Sequence, residues 1–124
     1  MDINLPIFLQ TEKWLEEYFL GKEPLFTPTI ELQGTAFQIC IWKLLAAIPY
    51  GKCKTYGTLA DEVSYLLRKQ RMSAQAVGRA ISCNPICIII PCHRVIGADG
   101  SLTGYSGGIR RKAELLKLEG VSGI

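Results

Sequence analysis

Long hydrophobic stretches are missing from this chain of 124 residues, in which no uninterrupted apolar run exceeds five residues. A membrane-spanning helix needs about 20 mostly apolar residues, so we expect no membrane association. The first residues, MDINLPIF, contain an early acid and no basic lead into an apolar segment, unlike a secretory signal. Repeats and low-complexity tracts are also missing. Length and composition together predict a cytoplasmic protein with one folded domain.

A paired set of cysteines is missing too. There are five cysteines, and their odd number without a secretory signal predicts free thiols in a reducing compartment. We expect four of them to be small buried or half-buried residues. The chain has a single histidine, His93, which directly follows Cys92.

Net charge is low but unevenly distributed. The formal net charge is +3. Residues 1–50 carry three lysines and six acids, a balance of −3, whereas residues 51–112 carry ten lysines or arginines and three acids, a balance of +7. The second stretch is basic enough to approach a polyanion, although an ordinary solvated basic face is the alternative.

Helical spacing dominates the first half of the chain. A helix is predicted over residues 11–21 with Thr11 as its N-cap, and a second over residues 35–48 with a broad apolar stripe. A polar, proline-containing connector lies between them. Residues 1–33 are therefore predicted to form an N-terminal helix and linker, and residues 34–124 the main domain.

Two short helices joined by a basic connector follow. The first is predicted over residues 55–67, and the second over residues 73–83 with Ser73 as its N-cap. The second helix presents mainly small residues, namely Ala74, Ala76, Gly78 and Ala80. This pattern is typical of a helix-turn-helix, whose second helix lies in a DNA groove; an ordinary helical hairpin is the alternative.

The last third mixes turns, a strand and a loop before a final helix. Residues 84–97, NPICIIIPCHRVIG, predict a turn at Asn84, a short buried strand and a second turn that holds Cys92. Residues 98–108 form a glycine-rich loop able to close over a ligand, and a helix is predicted over residues 109–120. The expected fold class is mainly α (α+β), helix-turn-helix and winged-helix-like, with short buried strands and an N-terminal helix.

Cys92 is the candidate nucleophile. Pro91 would end the strand and lift the thiol out of the core. His93 is a proton acceptor near neutral pH, and the charge of Arg94 and the basic segment would favour the thiolate. Hydrolase triads add an acid that orients the histidine, and Glu119 is one of several candidates. A buried, inert thiol is the simpler alternative.

A zinc site is a further interpretation of this segment. Four potential ligands occur at a spacing of C-x3-C-x4-C-H, namely Cys83, Cys87, Cys92 and His93. However, successive residues of a strand point to opposite faces, and the C-x2-C pairs of zinc knuckles are missing. We therefore expect no metal.

The motifs taken together resemble a known family. PCHRVIG, preceded by NPICIII and followed by GSLTGYSGG and LLKLEG, is similar to the C-terminal domain of the O6-alkylguanine-DNA alkyltransferases, also called methylated-DNA–protein-cysteine methyltransferases. Residues 34–60, GTAFQICIWKLLAAIPYGKCKTYGTLA, resemble the opening of the same domain. The resemblance covers residues 34–119. The segment before it resembles only the last helix and linker of the family's N-terminal domain.

The resemblance implies a DNA repair protein that acts once. A helix-turn-helix would bind the minor groove of double-stranded DNA, and the O6-alkylguanine would be flipped out of the stack. The alkyl group would then move irreversibly to the protein's own cysteine. O4-alkylthymine is a second candidate substrate. The resemblance implies no cofactor, and a monomer is expected.

The resemblance also implies roles for single residues. It makes Cys92 the alkyl acceptor, His93 its base through a water, and Glu119 the group that orients His93. Asn84 would brace the turn beside the active-site strand. Tyr56 would support the phosphate rotation, hydrogen-bond the flipped base and supply a proton to the departing guanine.

Further positions would contact the guanine or the DNA backbone. Guanine contacts are implied for Tyr105, Ser106, Val95 and Gly107, with Ser106 at O6. The backbone carbonyls of Cys92 and Val95 would accept from the amino group. DNA contacts are implied for the helix-turn-helix and its surroundings, namely Thr55, Ala74, Gln75, Ala76, Gly78, Arg79 and Arg94.

Two features depart from the family pattern. Gln75 stands where the family has an arginine that fills the space of the extruded base, so weaker DNA binding or a different flipping intermediate is expected. Residues 64–73 form a longer connector than usual, whose Arg68, Lys69 and Arg71 would contact phosphates. A lesion-binding alkyltransferase-like protein, a type that lacks the cysteine, is the alternative function. A structural domain with a coincidental thiol is another.

Overall fold

The computed structural model describes residues 6–28, 31–68, 73–102, 104–105 and 107–121. The helices of these residues are α1 (Ile7–Phe19), α2 (Ala36–Ala46), α3 (Tyr56–Leu66), α4 (Ala74–Ser82) and α5 (Ile109–Leu118). Strands β1 (Lys54–Thr55) and β2 (Val95–Ile96) pair in parallel, and a short 3-10 helix spans Cys92–Arg94. The mainly helical fold with short strands is confirmed.

α1 begins earlier than its sequence pattern indicates. The helix follows Pro6, and Thr11 lies inside it, where its hydroxyl donates to the carbonyl oxygen of Ile7 at 2.9 Å. The prediction that Thr11 caps the helix is therefore wrong, because a threonine hydroxyl can equally return a bond to the preceding turn. Trp14 and Tyr18 are the buried residues of α1 and lie one turn apart.

α2 is the central helix of the core. A capping box begins it: the Thr35 hydroxyl accepts from the backbone N–H of Gln38, and the Gln38 side chain accepts from that of Thr35, both at 3.1 Å. Trp42 donates its indole N–H to the carbonyl of Ala80 at 2.9 Å and ties α2 to α4. The helix ends at Ala46, earlier than predicted.

α3 and α4 are the two helices of the predicted helix-turn-helix and pack against each other and against α2. The Thr55 hydroxyl caps α3 by accepting from Thr58 N at 3.1 Å. The predicted cap of α4 is confirmed, since the Ser73 hydroxyl accepts from Ala76 N at 3.0 Å. The buried residues that hold these helices together are Ile41, Trp42, Leu45, Leu59, Val63, Val77, Ala80 and Ile81.

The strand predicted before Cys92 is a turn instead. Ile90 N donates to Ile86 O at 3.1 Å, Ile89 N donates to Cys87 O at 2.9 Å, and Ile88 has a φ of 74°. The prediction is wrong because backbone N–H and carbonyl groups of this segment form hydrogen bonds with each other, so a neighbouring strand is not needed as their partner. The strand of this region, β2, comes after the cysteine.

α1 and α5 close the fold behind this turn. A second apolar cluster is formed by Trp14, Tyr18, Ile89 and Leu115 and packs α1 against the turn and α5. The Tyr18 ring also meets the ring of His93 in the 3-10 helix. No helix among the described residues has both the length and the apolar character that crossing a bilayer requires.

Candidate active site

Cys92 begins the 3-10 helix and is buried, with 3% of its surface exposed. Its backbone N–H donates to Ile90 O at 2.8 Å, and Arg94 N donates to Pro91 O at 3.0 Å. The expectation that Pro91 lifts the thiol out of the core is wrong, because the chain continues past the proline as a 3-10 helix inside the protein.

The charge state of Cys92 also differs from expectation. Burial raises the pKa of the thiol to about 11, the neighbouring Cys87 thiol adds to the rise, and a hydrogen bond with the Asn84 side chain opposes it. The expectation that Arg94 and the basic segment favour a thiolate is therefore wrong in the free protein. At neutral pH the residue is a thiol, so its reaction requires a base.

His93, the residue after Cys92, is held by Glu119. Its ring is completely buried, and Nε2 lies 2.6 Å from Oε2 of Glu119, the residue that ends α5. Among the described residues, His93 Nδ1 is the one buried side-chain nitrogen or oxygen without a hydrogen-bond partner. Burial lowers the pKa of His93, and its hydrogen bond to Glu119 opposes that shift. Nδ1 is thus the nitrogen left to accept a proton.

Glu119 accepts hydrogen bonds on both carboxylate oxygens. Oε2 accepts from the Tyr18 hydroxyl at 2.6 Å as well as from His93, and Oε1 accepts from Gly51 N at 3.0 Å. Burial alone would raise the pKa of Glu119, but the bonds from His93, Arg94, Tyr18 and Gly51 outweigh it and lower the pKa to about 2. The carboxylate stays ionised and orients the imidazole.

Arg94 is part of this buried cluster. Its Nε lies 2.8 Å from Glu119 Oε1, its Nη2 lies 3.0 Å from Oε2, and its Nη1 donates to Ile48 O at 2.7 Å. Only 7% of its surface is exposed. Its donors are thus satisfied within the protein, as a buried guanidinium requires, and its predicted DNA contact stays a prediction.

Asn84 braces the turn that leads to the nucleophile. Its side-chain N–H donates to Ile90 O at 2.7 Å, and its carbonyl oxygen accepts from Ile86 N at 3.0 Å. The Asn84 side chain also lowers the pKa of Cys92. Asn84 thus ties together the backbone of the turn that precedes Cys92.

Cys87 is a neighbour of Cys92 that the sequence patterns named only as a possible zinc ligand. Its thiol helps to raise the pKa of both Cys92 and Tyr105, although the residue is exposed. Cys83 is exposed as well, so the expectation of four small buried or half-buried thiols is wrong. Across the described residues, no three histidine, cysteine or carboxylate side chains converge as metal ligands do.

Two of the four predicted guanine contacts lie at a cavity of about 690 Å³ that Cys87 also lines. Tyr105 and Gly107 are among its lining residues. Burial raises the pKa of Tyr105, and the nearby Cys92 and Cys87 add to that shift. A Cβ on Gly107 would stand 2.7 Å from the Tyr105 ring, so glycine permits this packing. Ser106 lies outside the described residues.

Tyr56 is approached by the glycine-rich loop and by α5. A Cβ on Gly104, whose φ is 69°, would stand 3.0 Å from the Tyr56 hydroxyl. Nζ of Lys112 lies 5.7 Å from the Tyr56 ring centroid, in the range of a cation–π contact. Lys112 is completely buried, burial lowers its pKa, and nearby Cys92 opposes that shift. The sequence patterns missed Lys112, since basic residues usually face solvent.

The predicted DNA contacts gather mainly on the outer face of α4. Gln75 and Arg79 are exposed, and Ala76 and Gly78 are half-buried. A Cβ on Gly78 would meet no atom within 4 Å, so packing within the chain does not require glycine there. Ala74 is the first residue of α4. Thr55 uses its hydroxyl as the cap of α3, and Val95 is buried on β2.

The fold thus combines a helix-turn-helix with a buried histidine–glutamate pair and an adjacent buried cysteine. Residues 36–121 match the family described as "6-O-methylguanine DNA methyltransferase, DNA binding domain". The chain belongs to this family.

Individual relatives agree with this assignment. A methylated-DNA–protein-cysteine methyltransferase of Mycobacterium tuberculosis is 50% identical over 105 residues, 85% of this chain and 61% of the relative. The crystal structure of M. tuberculosis OGT in complex with DNA is similar with a TM-score of 0.82 and 48% identity, over 90% of this chain and 66% of that one. This chain therefore spans about three fifths of the length of that curated relative.

A lesion-binding structure is a more distant relative. S. pombe Atl1, solved in complex with damaged DNA containing O6-carboxymethylguanine, has a TM-score of 0.56 and 31% identity. The similarity covers 73% of this chain and 82% of that one.

Proposed function

We propose that the chain repairs DNA by moving the alkyl group of O6-alkylguanine onto Cys92 in a single, irreversible step. The observation that carries the proposal is the buried relay, in which His93 donates from Nε2 to Glu119 and keeps Nδ1 without a partner beside the cysteine. The names of the methyltransferase relatives support the same reaction.

In the proposed reaction, His93 Nδ1 takes the thiol proton of Cys92 through a water molecule. Glu119 stabilises the resulting imidazolium, as the acid of a triad does. The thiolate sulfur forms a bond to the alkyl carbon while the bond from that carbon to O6 breaks. Tyr56 donates a proton to the departing guanine. No second nucleophile releases the thioether, so each molecule acts once and needs no cofactor.

The raised pKa of Cys92 suits a reagent that is used only once. A thiol with a pKa of about 11 is almost entirely protonated at neutral pH, and the thiolate is the reactive nucleophile. The fold thus protects Cys92 from other electrophiles until substrate is bound. A thiolate formed inside the closed site has little water to stabilise it and is therefore strongly nucleophilic.

The proposed partner is double-stranded DNA, bound by the outer face of α4 and acted on after the damaged base is flipped. Exposed Gln75 and Arg79 on that face support this, and O4-alkylthymine is a second candidate substrate. We propose that the chain acts as a monomer in the cytoplasm, where its free cysteines stay reduced.

The basic connector before α4 is proposed to add phosphate contacts. Of its three cations, Arg68 is exposed, whereas Lys69 and Arg71 lie outside the described residues. Replacing all three by glutamine should flatten the plot of log K against log salt by about 0.9 per lost contact. An unchanged slope would exclude this contribution.

Mass spectrometry after incubation with a duplex containing O6-methylguanine tests the reaction. We expect a gain of one methyl group on the Cys92 peptide. Cys92→Ala should abolish the gain, and Cys83→Ala, which removes an exposed thiol, should preserve it. Tight binding to the methylated duplex without any gain in mass would refute transfer and favour a lesion-binding protein instead.

A further inference from the structure

Tyr18 reaches the relay from α1, outside residues 36–121 that match the family. The side chain is completely buried. Its ring stacks on Trp14 with centroids 5.3 Å apart and meets Tyr50 and His93 edge-on at 6.1 and 6.4 Å. Aromatic contacts on three sides therefore fix where the hydroxyl points.

The hydroxyl of Tyr18 shares one carboxylate oxygen with His93. It donates to Glu119 Oε2 at 2.6 Å, the same distance at which His93 Nε2 meets that oxygen. The Tyr18 oxygen itself lies 3.4 Å from His93 Nε2. Burial raises the pKa of Tyr18, and the bond to Glu119 adds to the rise, so the phenol stays protonated and remains a donor.

Three donors meet Glu119 Oε2, since Arg94 Nη2 lies 3.0 Å from it as well, and they compete for the charge of this oxygen. An imidazolium is stabilised by the carboxylate that faces it, and each additional hydrogen bond to that carboxylate weakens this stabilisation. The hydrogen bond from Tyr18 therefore weakens the interaction of Glu119 with protonated His93 and lowers the proton affinity of His93. The other titratable groups around the cluster are Tyr50 after α2, Arg94 in the 3-10 helix, and Lys112 and Glu119 of the α5 segment.

We infer that Tyr18 is a positioning residue of the relay, which sets the proton affinity of His93 through the Glu119 oxygen that both side chains share. The consequence for the rate of alkyl transfer rests on the proposed function. The effect of Tyr18 on the proton affinity of His93 does not. The site is thus completed by a helix outside the segment that the family match covers.

Tyr18→Phe isolates the hydroxyl from the ring. Phenylalanine keeps the stacking on Trp14, and Glu119 keeps its bonds from His93, Arg94 and Gly51. Because Glu119 then supports the imidazolium more strongly, the pKa of His93 should rise by about one unit. Proton transfer from Cys92 to His93 becomes about tenfold more favourable for each such unit.

The single histidine of the chain makes this shift directly measurable. Nitrogen-15 NMR of the imidazole, followed against pH, reports His93 without ambiguity of assignment. Tyr18→Phe should titrate about one unit above the wild type. The matched control is Tyr50→Phe. The Tyr50 hydroxyl lies 3.5 Å from Leu118 O, and its removal leaves the Tyr18–Glu119 bond in place. His93 of this variant should titrate at the same pH as in the wild type. Coincident titrations of Tyr18→Phe and wild type would overturn the inference.

Single-turnover methyl transfer against pH provides a second readout. In Tyr18→Phe the acid limb should move up by about one unit while the plateau rate rises by up to about tenfold. A uniform loss of rate with an unmoved limb would show a merely structural role and overturn the inference. If the wild type takes no methyl group from DNA, the proposed function fails, and the NMR titration still decides the role of Tyr18.

Discussion

Glu119→Gln should destabilise the protein by about 3 kcal/mol at pH 7.5. The hydrogen bonds that Glu119 accepts lower its pKa from 4.5 to about 2, and each unit of pKa corresponds to about 1.4 kcal/mol. Removing one partner of a buried ion pair typically costs about 3–5 kcal/mol, which agrees. Glutamine keeps the volume but offers one acceptor oxygen instead of two, so part of the Arg94 guanidinium is left facing an amide N–H.

The pH dependence of this contribution has a defined sign. Because the pKa of Glu119 is lower in the folded state, its stabilisation is complete above about pH 4.5 and is lost as the pH falls towards 2. His93 affects stability in a separate pH range. Burial lowers its pKa in the folded state, so the unfolded state binds more protons. Stability therefore already declines below about pH 6.5. Wild type should therefore lose stability in two steps, and Glu119→Gln should lack the second.

Urea unfolding at pH 7.5 and through the acid range measures both effects. The control is Glu62→Gln, which removes a half-exposed pair with Lys54 at 2.6 Å and should cost less than about 1 kcal/mol. A loss of about 3 kcal/mol should also lower Tm by roughly 10 °C. If Glu119→Gln costs no more than Glu62→Gln, the carboxylate is not the buried anchor that its hydrogen bonds indicate.

Three further predictions concern the nucleophile, its brace and the DNA face. Because the pKa of Cys92 is about 11, its reaction with iodoacetamide, followed by peptide mass spectrometry, should accelerate about tenfold per pH unit between 7 and 10; a flat profile would contradict this. Asn84→Ala breaks the bonds to Ile86 and Ile90 and should cost about 2 kcal/mol in urea unfolding, and an unchanged midpoint would show that the turn is held by other contacts. Gln75→Arg adds a cation to the exposed face of α4 and should steepen the salt dependence of DNA binding by about 0.9; the same slope as wild type would mean that this position does not meet a phosphate.

The helices were predictable because their signals are local. The caps at Thr35 and Ser73 act on backbone groups three residues away, and apolar spacing identifies the face that each helix buries. Thr11 shows the limit of the same reasoning, since a threonine suits both an N-cap and a bond back to the preceding turn. Only the helical backbone of residues 7–10 decides between them.

The turn at residues 86–90 was not predictable from its composition. A run of isoleucines around Cys87 satisfies the pattern of a buried strand, and nothing local shows that Asn84 will take up the backbone groups of Ile86 and Ile90. Arg94 was missed for a related reason. A basic residue in a basic stretch is expected at the surface, and its pairing with Glu119 depends on a contact across 25 residues.

The acid of the relay could be proposed from sequence only as one candidate among several, and the structure shows why Glu119 is selected. It ends α5, where it meets His93, Arg94 and, 101 residues away along the chain, Tyr18. One carboxylate thus joins the last helix, the 3-10 helix of the nucleophile and α1. Its charge state is held by the same bonds that hold these elements together, so a change that weakens the relay should also weaken the fold. The proposed reaction needs a thiol in the core, and this coupling suits it, because the proposed base His93 is oriented by contacts that the folded state requires in any case.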